Sequence, residues 1–354
     1  MTKAELDSIK ILPLEDSWYR KVKEKLDGIA KPLDGLGKFE HLIAQIGAIE
    51  KTTKISIQKK AVLVMCADNG VVEEQVSQSG KEVTLAVAKA MGVNNSSVGK
   101  MAAVAGVDVI PVDIGIDTDE VIPGVLPRKV AKGTKNFAKE PAMTEEEVLK
   151  AIETGIQLVQ QCHREGYEIF ATGEMGIGNT TTSTAVAAAL LDLEVEQVTG
   201  KGAGLTDEAL KRKCRVIKEA IEKYSLRDAD AFTILKTVGG LDIAGLTGVF
   251  IGAAIEQIPV VIDGVISAVA ALLAETLCKG AVNYMIPSHK SRELAETAIM
   301  KKLHLDPVLD ADMALGEGTG ALMMMSLLDV ALGVYLQGAS FANFEIEQYK
   351  RYEE

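Results

Sequence analysis

A series of short β-branched runs, each ending in a polar turn and each followed by a helical stretch, constrains this chain more than any other feature. "AVLVMCADNG" (61–70) ends at Asp68-Asn69-Gly70, and "VDVIPVDIGID" (107–117) ends at Asp113 and Gly115. "YEIFATGEMG" (167–176) ends at Glu174, and "IPVVIDG" (258–264) ends at Asp263-Gly264. Helical patterning fills 81–105, 144–163, 180–191, 206–224 and 241–256. Strands that alternate with helices build a parallel sheet, because the crossover between parallel strands is long enough to be a helix. The predicted fold class is therefore α/β, a doubly wound parallel sheet with helices on both faces. Aromatics make up only 4% of the chain. Small aliphatic side chains suit strands buried on both faces under closely packed helices. In such sheets ligands bind outside the carboxyl ends of the strands, and the polar turns quoted above all fall on that edge.

The chain ends read differently. "DSWYRKVKEKLDGIA" and "DGLGKFEHLIAQIGAIEK" are amphipathic helices with no strand between them, and the last stretch is helical and then frayed. Residues 1–45 and 330–354 are expected to form a small helical subdomain, and 46–329 a large Rossmann-like α/β catalytic domain. With 354 residues, 47% of them hydrophobic, the chain can bury a core of that size.

Composition excludes several classes. A net charge of −12 without a strong basic tract argues against nucleic acid and anionic membrane as partners. The densest basic stretch, "RKVAKGTKNFAK", reads as a solvated loop. The four cysteines and four histidines show no metal-ligand spacing, so no metal is expected. The N-terminus has no signal-peptide pattern. The apolar runs 243–255 and 264–274 fall short of the roughly 18 residues of a membrane span. A reducing, cytoplasmic setting is expected.

Four stretches could carry chemistry. In "ATGEMGIGNTTTSTAVAAALL" (171–191), Gly176 and Gly178 permit close backbone approach, and Asn179 and Thr180 offer donors at a helix start. Phosphate is the natural guest there. A turn whose Asn and Thr merely cap the helix fits the same letters. In "MALGEGTGALMMM" (313–325), Glu317 lies in a second glycine turn before an apolar helix. It is either a partner for the helix dipole or a general base held in partly dry surroundings. In "GKGAGLTDEALKRK" (200–213), Gly202 lies in a glycine turn and Lys213 is either a point charge for a phosphate or a surface lysine. In "IPSHKS" (286–291), Ser288, His289 and Ser291 offer donors, but no G-x-S-x-G elbow supports His289 as the base of a serine nucleophile.

These stretches occur in order with others: "PLDGLGKFEHLIAQIGAI" (32–49), "DNGV" and "KEVT" (68–84), "VDIGID" (112–117), "GTKNFAKEPAMT" (133–144), "VGGLDIAGLTGVFIGAAIEQIPVVIDG" (238–264) and "LGEGTGA" (315–321). Over roughly residues 30–330 the ordered set resembles the nicotinate-nucleotide–dimethylbenzimidazole phosphoribosyltransferase family. The resemblance implies transfer of a phosphoribosyl group from nicotinate mononucleotide to a benzimidazole nitrogen. It implies Glu317 as the base and Glu174 facing the cationic sugar–pyridinium. Gly176, Gly178, Asn179, Thr180, Gly202, Lys213 and Ser291 are then expected to bind the nucleotide phosphate. Ser79, Gly80, Val87 and Leu315 are expected at the acceptor base, with Asp68 and Asp263 in support. No cofactor is implied, and a homodimer is.

The chain departs from the family pattern at one region. Asn69 stands where the family usually has His, Ser79-Gly80 stands where a Ser-Pro pair is frequent, and Val87 stands where a Gln is frequent. Other acceptors (phenol, p-cresol, adenine) therefore stay open. So does a non-catalytic nucleotide-binding subunit that pairs with a paralogue.

Overall fold

The computed structural model describes residues 1–202 and 204–351. Ala203 of the glycine turn and the end of the expected frayed tail, 352–354, lie outside the described residues. The sheet comprises β1 (Lys60–Ala67), β2 (Val107–Gly115), β3 (Leu126–Pro127), β4 (Ile169–Met175), β5 (Val260–Ile262) and β6 (Met285–Pro287). Its spatial order is β3-β2-β1-β4-β5-β6, and every neighbouring pair is parallel. The chain winds outward from β1 to β3 and then returns to the other side of β1. The crevice of this doubly wound sheet therefore opens between β1 and β4.

β1 shows why the sheet needs two helical layers. Ala61, Leu63, Met65 and Ala67 enter one buried cluster, while Val62, Val64 and Cys66 enter the other. Alternate side chains point to opposite faces, so both faces are apolar and both must be covered. Helices Glu145–Arg164 and Leu241–Glu256 pack closely over the first face. Glycine makes that approach possible: a Cβ on Gly248 would lie 2.0 Å from the Ile152 carbonyl oxygen. The second face is covered by helices Lys38–Ile49, Glu82–Gly92, Ser97–Ala105 and Thr319–Gln337.

The chain ends meet. Ile29 forms an antiparallel bridge with Ser340, and the Ala30 N–H donates to the Ala339 carbonyl at 2.8 Å. Arg351 pairs with Asp27 and Asp34 at 2.8 and 2.7 Å. Glu40, fully buried, is neutralised by Lys23 and Lys31 at 2.8 and 2.5 Å.

The structure corrects two sequence expectations. The stretch 81–105 is two helices, because Asn94 adopts φ +54° and Ser96 then caps a new helix, its Oγ accepting the Gly99 N–H at 3.2 Å. Thr319–Gln337 does reach the length and apolarity of a membrane span, with 19 residues and a mean hydropathy of 1.6. It is the one such helix among the described residues, and it packs on the sheet and on helix Lys38–Ile49. A mostly buried core helix that is apolar nearly all round passes the same test of length and composition.

Candidate active site at the carboxyl edge

Three strand-to-helix connections converge beyond the strand ends. β4 carries Glu174 into the Gly176–Gly178 turn and helix Asn179–Leu190. Gly178 adopts φ +92°. A Cβ at Gly176 would lie 2.5 Å from the Ala67 carbonyl oxygen and 2.8 Å from Asp242 Oδ2, so the turn tolerates only glycine there. β5 carries Asp263-Gly264 into helix Val265–Leu277. β6 leads through Ser288 into a two-stranded parallel ribbon, β7 (His289–Ser291) with β8 (Leu309–Met313). β8 feeds the Glu317 turn and helix Thr319–Gln337.

These turns enclose a cavity of about 310 Å³. Of the residues expected at the site, Glu174, Gly176, Asn179, Thr180, Gly202, Ser291, Val87, Leu315, Asp263 and Glu317 line it. Gly178 instead lines an adjoining cleft of about 90 Å³, shared with Gly202. Lys213 stands behind the wall: it is fully buried, and its Nζ donates to Thr180 Oγ1 at 2.9 Å and to the Gly200 carbonyl at 3.1 Å. Ser79, Gly80 and Asp68 are not among the lining residues. Asp68 is buried below the turns, accepting the Asp117 N–H at 2.8 Å. Gly80 sits against the Glu82 carboxylate. Asn69 is buried beneath the Gly176–Gly178 turn, its Nδ2 donating to the Ile177 carbonyl at 3.4 Å. Thr84 of the "KEVT" motif accepts the Ile177 N–H at 3.2 Å. Much of segment 68–84 thus props the turn from behind, while Val87 reaches the cavity.

Among the carboxylates with raised proton affinities, Glu174 and Glu317 line the cavity at its two touching turns. Burial, then the nearby Asp242 carboxylate, pushes Glu174 up to about 8 against the opposing hydrogen bond from Asn179. Burial raises Glu317, and the Val98 N–H, donating to its Oε2 at 3.1 Å, opposes that rise. Glu317 is held at φ +59°, in the left-handed region, which fixes where its side chain leaves the turn. The two turns touch, since a Cβ on Gly316 would lie 2.9 Å from Glu174 Oε1. Asp263 fixes the Glu317 turn by accepting the N–H groups of Gly318, Gly320 and Ala321 at 3.1, 2.8 and 3.1 Å.

Two acids escaped the sequence reading, and a histidine that it gave only as a donor proves to line the cavity. His289 lines the cavity with its Nδ1 2.9 Å from Ser288 Oγ, and burial lowers its proton affinity so that a neutral ring is favoured. Asp242 is fully buried and shares Asn179 with Glu174. Glu293 lines the cavity and binds the Gly202 turn. The only letter-level signal among these was the polar "SHKS" turn.

Two adjacent carboxylates, an anion-ready helix start and a buried lysine, gathered at the switch point of a doubly wound sheet, define an enzyme that handles a phosphorylated small molecule. A family model described as "Phosphoribosyltransferase" matches residues 11–346. The chain belongs to that phosphoribosyltransferase family. It is 44% identical over 337 residues to the nicotinate-nucleotide–dimethylbenzimidazole phosphoribosyltransferase of Clostridium acetobutylicum, covering 95% of this chain and 96% of that protein. It is 45% identical over 329 residues to the protein of the same name from Acetivibrio thermocellus, covering 93% and 94%. The crystal structure of CobT from Thermus thermophilus superposes with a TM-score of 0.89 at 33% identity, covering 94% of this chain and all of that one.

Proposed function

We propose that this enzyme transfers the phosphoribosyl group of nicotinate mononucleotide to a ring nitrogen of 5,6-dimethylbenzimidazole or a related aromatic base. Nicotinate is released, and the product nucleotide serves as the lower-ligand unit of a cobamide. The observation that carries this reading is the joint presence of Glu174, Glu317 and the Thr180–Gly202–Ser291 wall around one cavity.

Each group has work to do in that reaction. The donor phosphate seats at the Asn179 helix start and the Gly202 turn, where backbone N–H groups and the helix dipole favour an anion. Lys213 supplies the fixed positive charge behind Thr180. The bond from the anomeric carbon to the pyridinium nitrogen breaks with its electron pair going to nitrogen, so nicotinate leaves without a general acid. Positive charge develops on the ribose, as in glycoside cleavage, and the Glu174 carboxylate faces it. The imine-type nitrogen of the benzimidazole bonds to the anomeric carbon through its lone pair, and the proton on the other ring nitrogen passes to Glu317, which leaves the product base neutral. A carboxylate whose affinity is raised toward neutrality suits that transfer. Val87, Met175 and Leu315 give the acceptor end an apolar lining, which favours a flat aromatic base.

A homodimer in the cytoplasm completes the proposal. The outer side of helix Thr319–Gln337 carries Met323, Leu327 and Val330 at helical spacing. Val330 is 72% exposed, and Val104 on the packed neighbour helix is 91% exposed. Such an uncovered apolar stripe supports pairing with a second copy. Sedimentation as a monomer at micromolar concentration would remove that part.

The test is an acceptor screen. The protein is mixed with nicotinate mononucleotide and, separately, 5,6-dimethylbenzimidazole, benzimidazole, adenine, phenol and p-cresol, with nicotinate release and product mass followed. Turnover with benzimidazoles is expected. Turnover with phenols or adenine alone would reassign the acceptor, and nucleotide binding without turnover would leave a non-catalytic subunit.

A further inference from the structure

Glu293 lies where an anion should be. Its Oε1 accepts the Gly202 N–H at 3.1 Å. Its other oxygen lies so close to the same loop that a Cβ on Gly200 would be 1.9 Å from Oε2. The missing side chain at Gly200 therefore makes room for this carboxylate, which takes the Gly202 amide beside it. The position is held from both ends: the Glu293 N–H donates to Ser291 Oγ at 3.2 Å, and the Ser291 N–H donates to Glu296. Across the loop is Lys213, whose buried ammonium is hydrogen-bonded only to neutral oxygens among the described residues. Burial lowers its proton affinity, and Glu293 is the charge that most opposes that lowering.

A negative group on a glycine-loop amide, beside a buried lysine and next to Thr180 and Ser291, has the surroundings of a bound phosphate. We propose that the Glu293 carboxylate is an internal competitor of the donor phosphate. It occupies the Gly202 amide and faces Lys213, and it must turn outward before a phosphate monoester can seat there. This rests on the donor reading above, which it deepens: Glu293 sets donor affinity. The carboxylate costs the enzyme binding strength but leaves a negative charge across the loop from the buried lysine, whose ammonium is expensive without one in a poorly solvated site. Arg292 and Leu294 on either side of Glu293 are exposed, so the segment lies at the surface, where the side chain has solvent to turn into.

A merely structural glutamate and a competing one predict opposite signs. Removing a structural tie loosens the loop and weakens anion binding, whereas removing a competitor tightens it. Calorimetric titration with inorganic phosphate, and separately with nicotinate mononucleotide, is made on the wild type, Glu293→Gln and Glu293→Ala. Both dissociation constants are expected to fall by about tenfold in Glu293→Ala, the size of one charge-assisted hydrogen bond, and by less in Glu293→Gln. Unchanged or weaker phosphate binding in both variants overturns the proposal. Tighter phosphate binding without nicotinate mononucleotide binding upholds the competitor and removes the donor reading. Turnover of nicotinate mononucleotide with no tightening does the reverse. Hydrogen exchange on the wild type covers variants that fold poorly. Phosphate is expected to speed exchange over 291–294 as Glu293 is expelled, and protection of that segment on phosphate binding counts against the proposal.

Discussion

The carboxylates of Glu174 and Asp242 converge on one donor, the Nδ2 of Asn179, which bonds Glu174 Oε2 and lies 3.2 Å from Asp242 Oδ2. The two acids come from β4 and from the first turn of helix Leu241–Glu256. A neutral amide cannot cancel both charges, so Asp242 adds to the burial that raises the proton affinity of Glu174.

The first prediction concerns pH. Burial and Asp242 move Glu174 from an ordinary 4.5 to about 8, and burial moves Asp242 from 3.8 to about 6. Between those values the folded chain holds protons that the unfolded chain has released. Their contribution to stability is therefore complete below the ordinary values and is lost as pH rises through 6 and 8. Thermal melts should show this decline. A pyridinium beside Glu174 favours its ionised form, so donor binding at pH 7 should release a proton, measured calorimetrically in buffers of different ionisation enthalpy. Asp242→Asn should move the midpoint of that release to lower pH. Proton uptake on binding would contradict the assignment.

Glu317→Gln separates chemistry from folding. The glutamine oxygen can still accept the Val98 N–H that Glu317 accepts at 3.1 Å, so the turn should keep its shape. Nicotinate mononucleotide should bind within about twofold of the wild type, while kcat falls by roughly 10²-fold or more. A variant with wild-type kcat would show that another group takes the proton.

Lys213→Met keeps most of the stem volume and removes the charge. The side chain is fully buried and reaches the site through Thr180. The variant should therefore raise the donor KM by roughly tenfold, the value of one charged hydrogen bond, with a smaller effect on the acceptor KM. Equal loss for both substrates would point to a collapsed wall instead of a missing charge.

How much of this was legible in the letters follows from how local each feature is. β1, β2, β4 and β5 were readable because burial on both faces demands β-branched runs. β3 is two residues long, too short to carry a periodic signal, and β6 runs into the "IPSHKS" stretch, which reads as a polar turn. The glutamate turns were readable because glycine spacing is local. The partnership of Glu174 with Asp242 joins residues 68 apart in the chain, and Glu293 meets Gly202 across 91. In sequence, Asp242 reads only as a helix-start acid and Glu293 only as a loop acid. Lys213 shows the opposite limit: its involvement was legible, but its burial behind Thr180 was not.

The final prediction tests the support under Glu317. Asp263 is 3% exposed and takes the N–H groups of Gly318, Gly320 and Ala321, three of the otherwise unpaired donors at the start of helix Thr319–Gln337. Asp263→Ala leaves those donors buried without an acceptor and should destabilise the fold by about 2–4 kcal/mol. Asp263→Asn retains one acceptor oxygen and should lose less. In Asp263→Asn the Glu317 turn should stay formed but loosen, so kcat should fall more than donor affinity, because Glu317 must hold its place while the acceptor proton moves. Denaturant melts paired with steady-state kinetics on both variants read the two effects separately. A wild-type kcat in a destabilised Asp263→Asn would mean that Asp263 only staples the helix and does not aim the base.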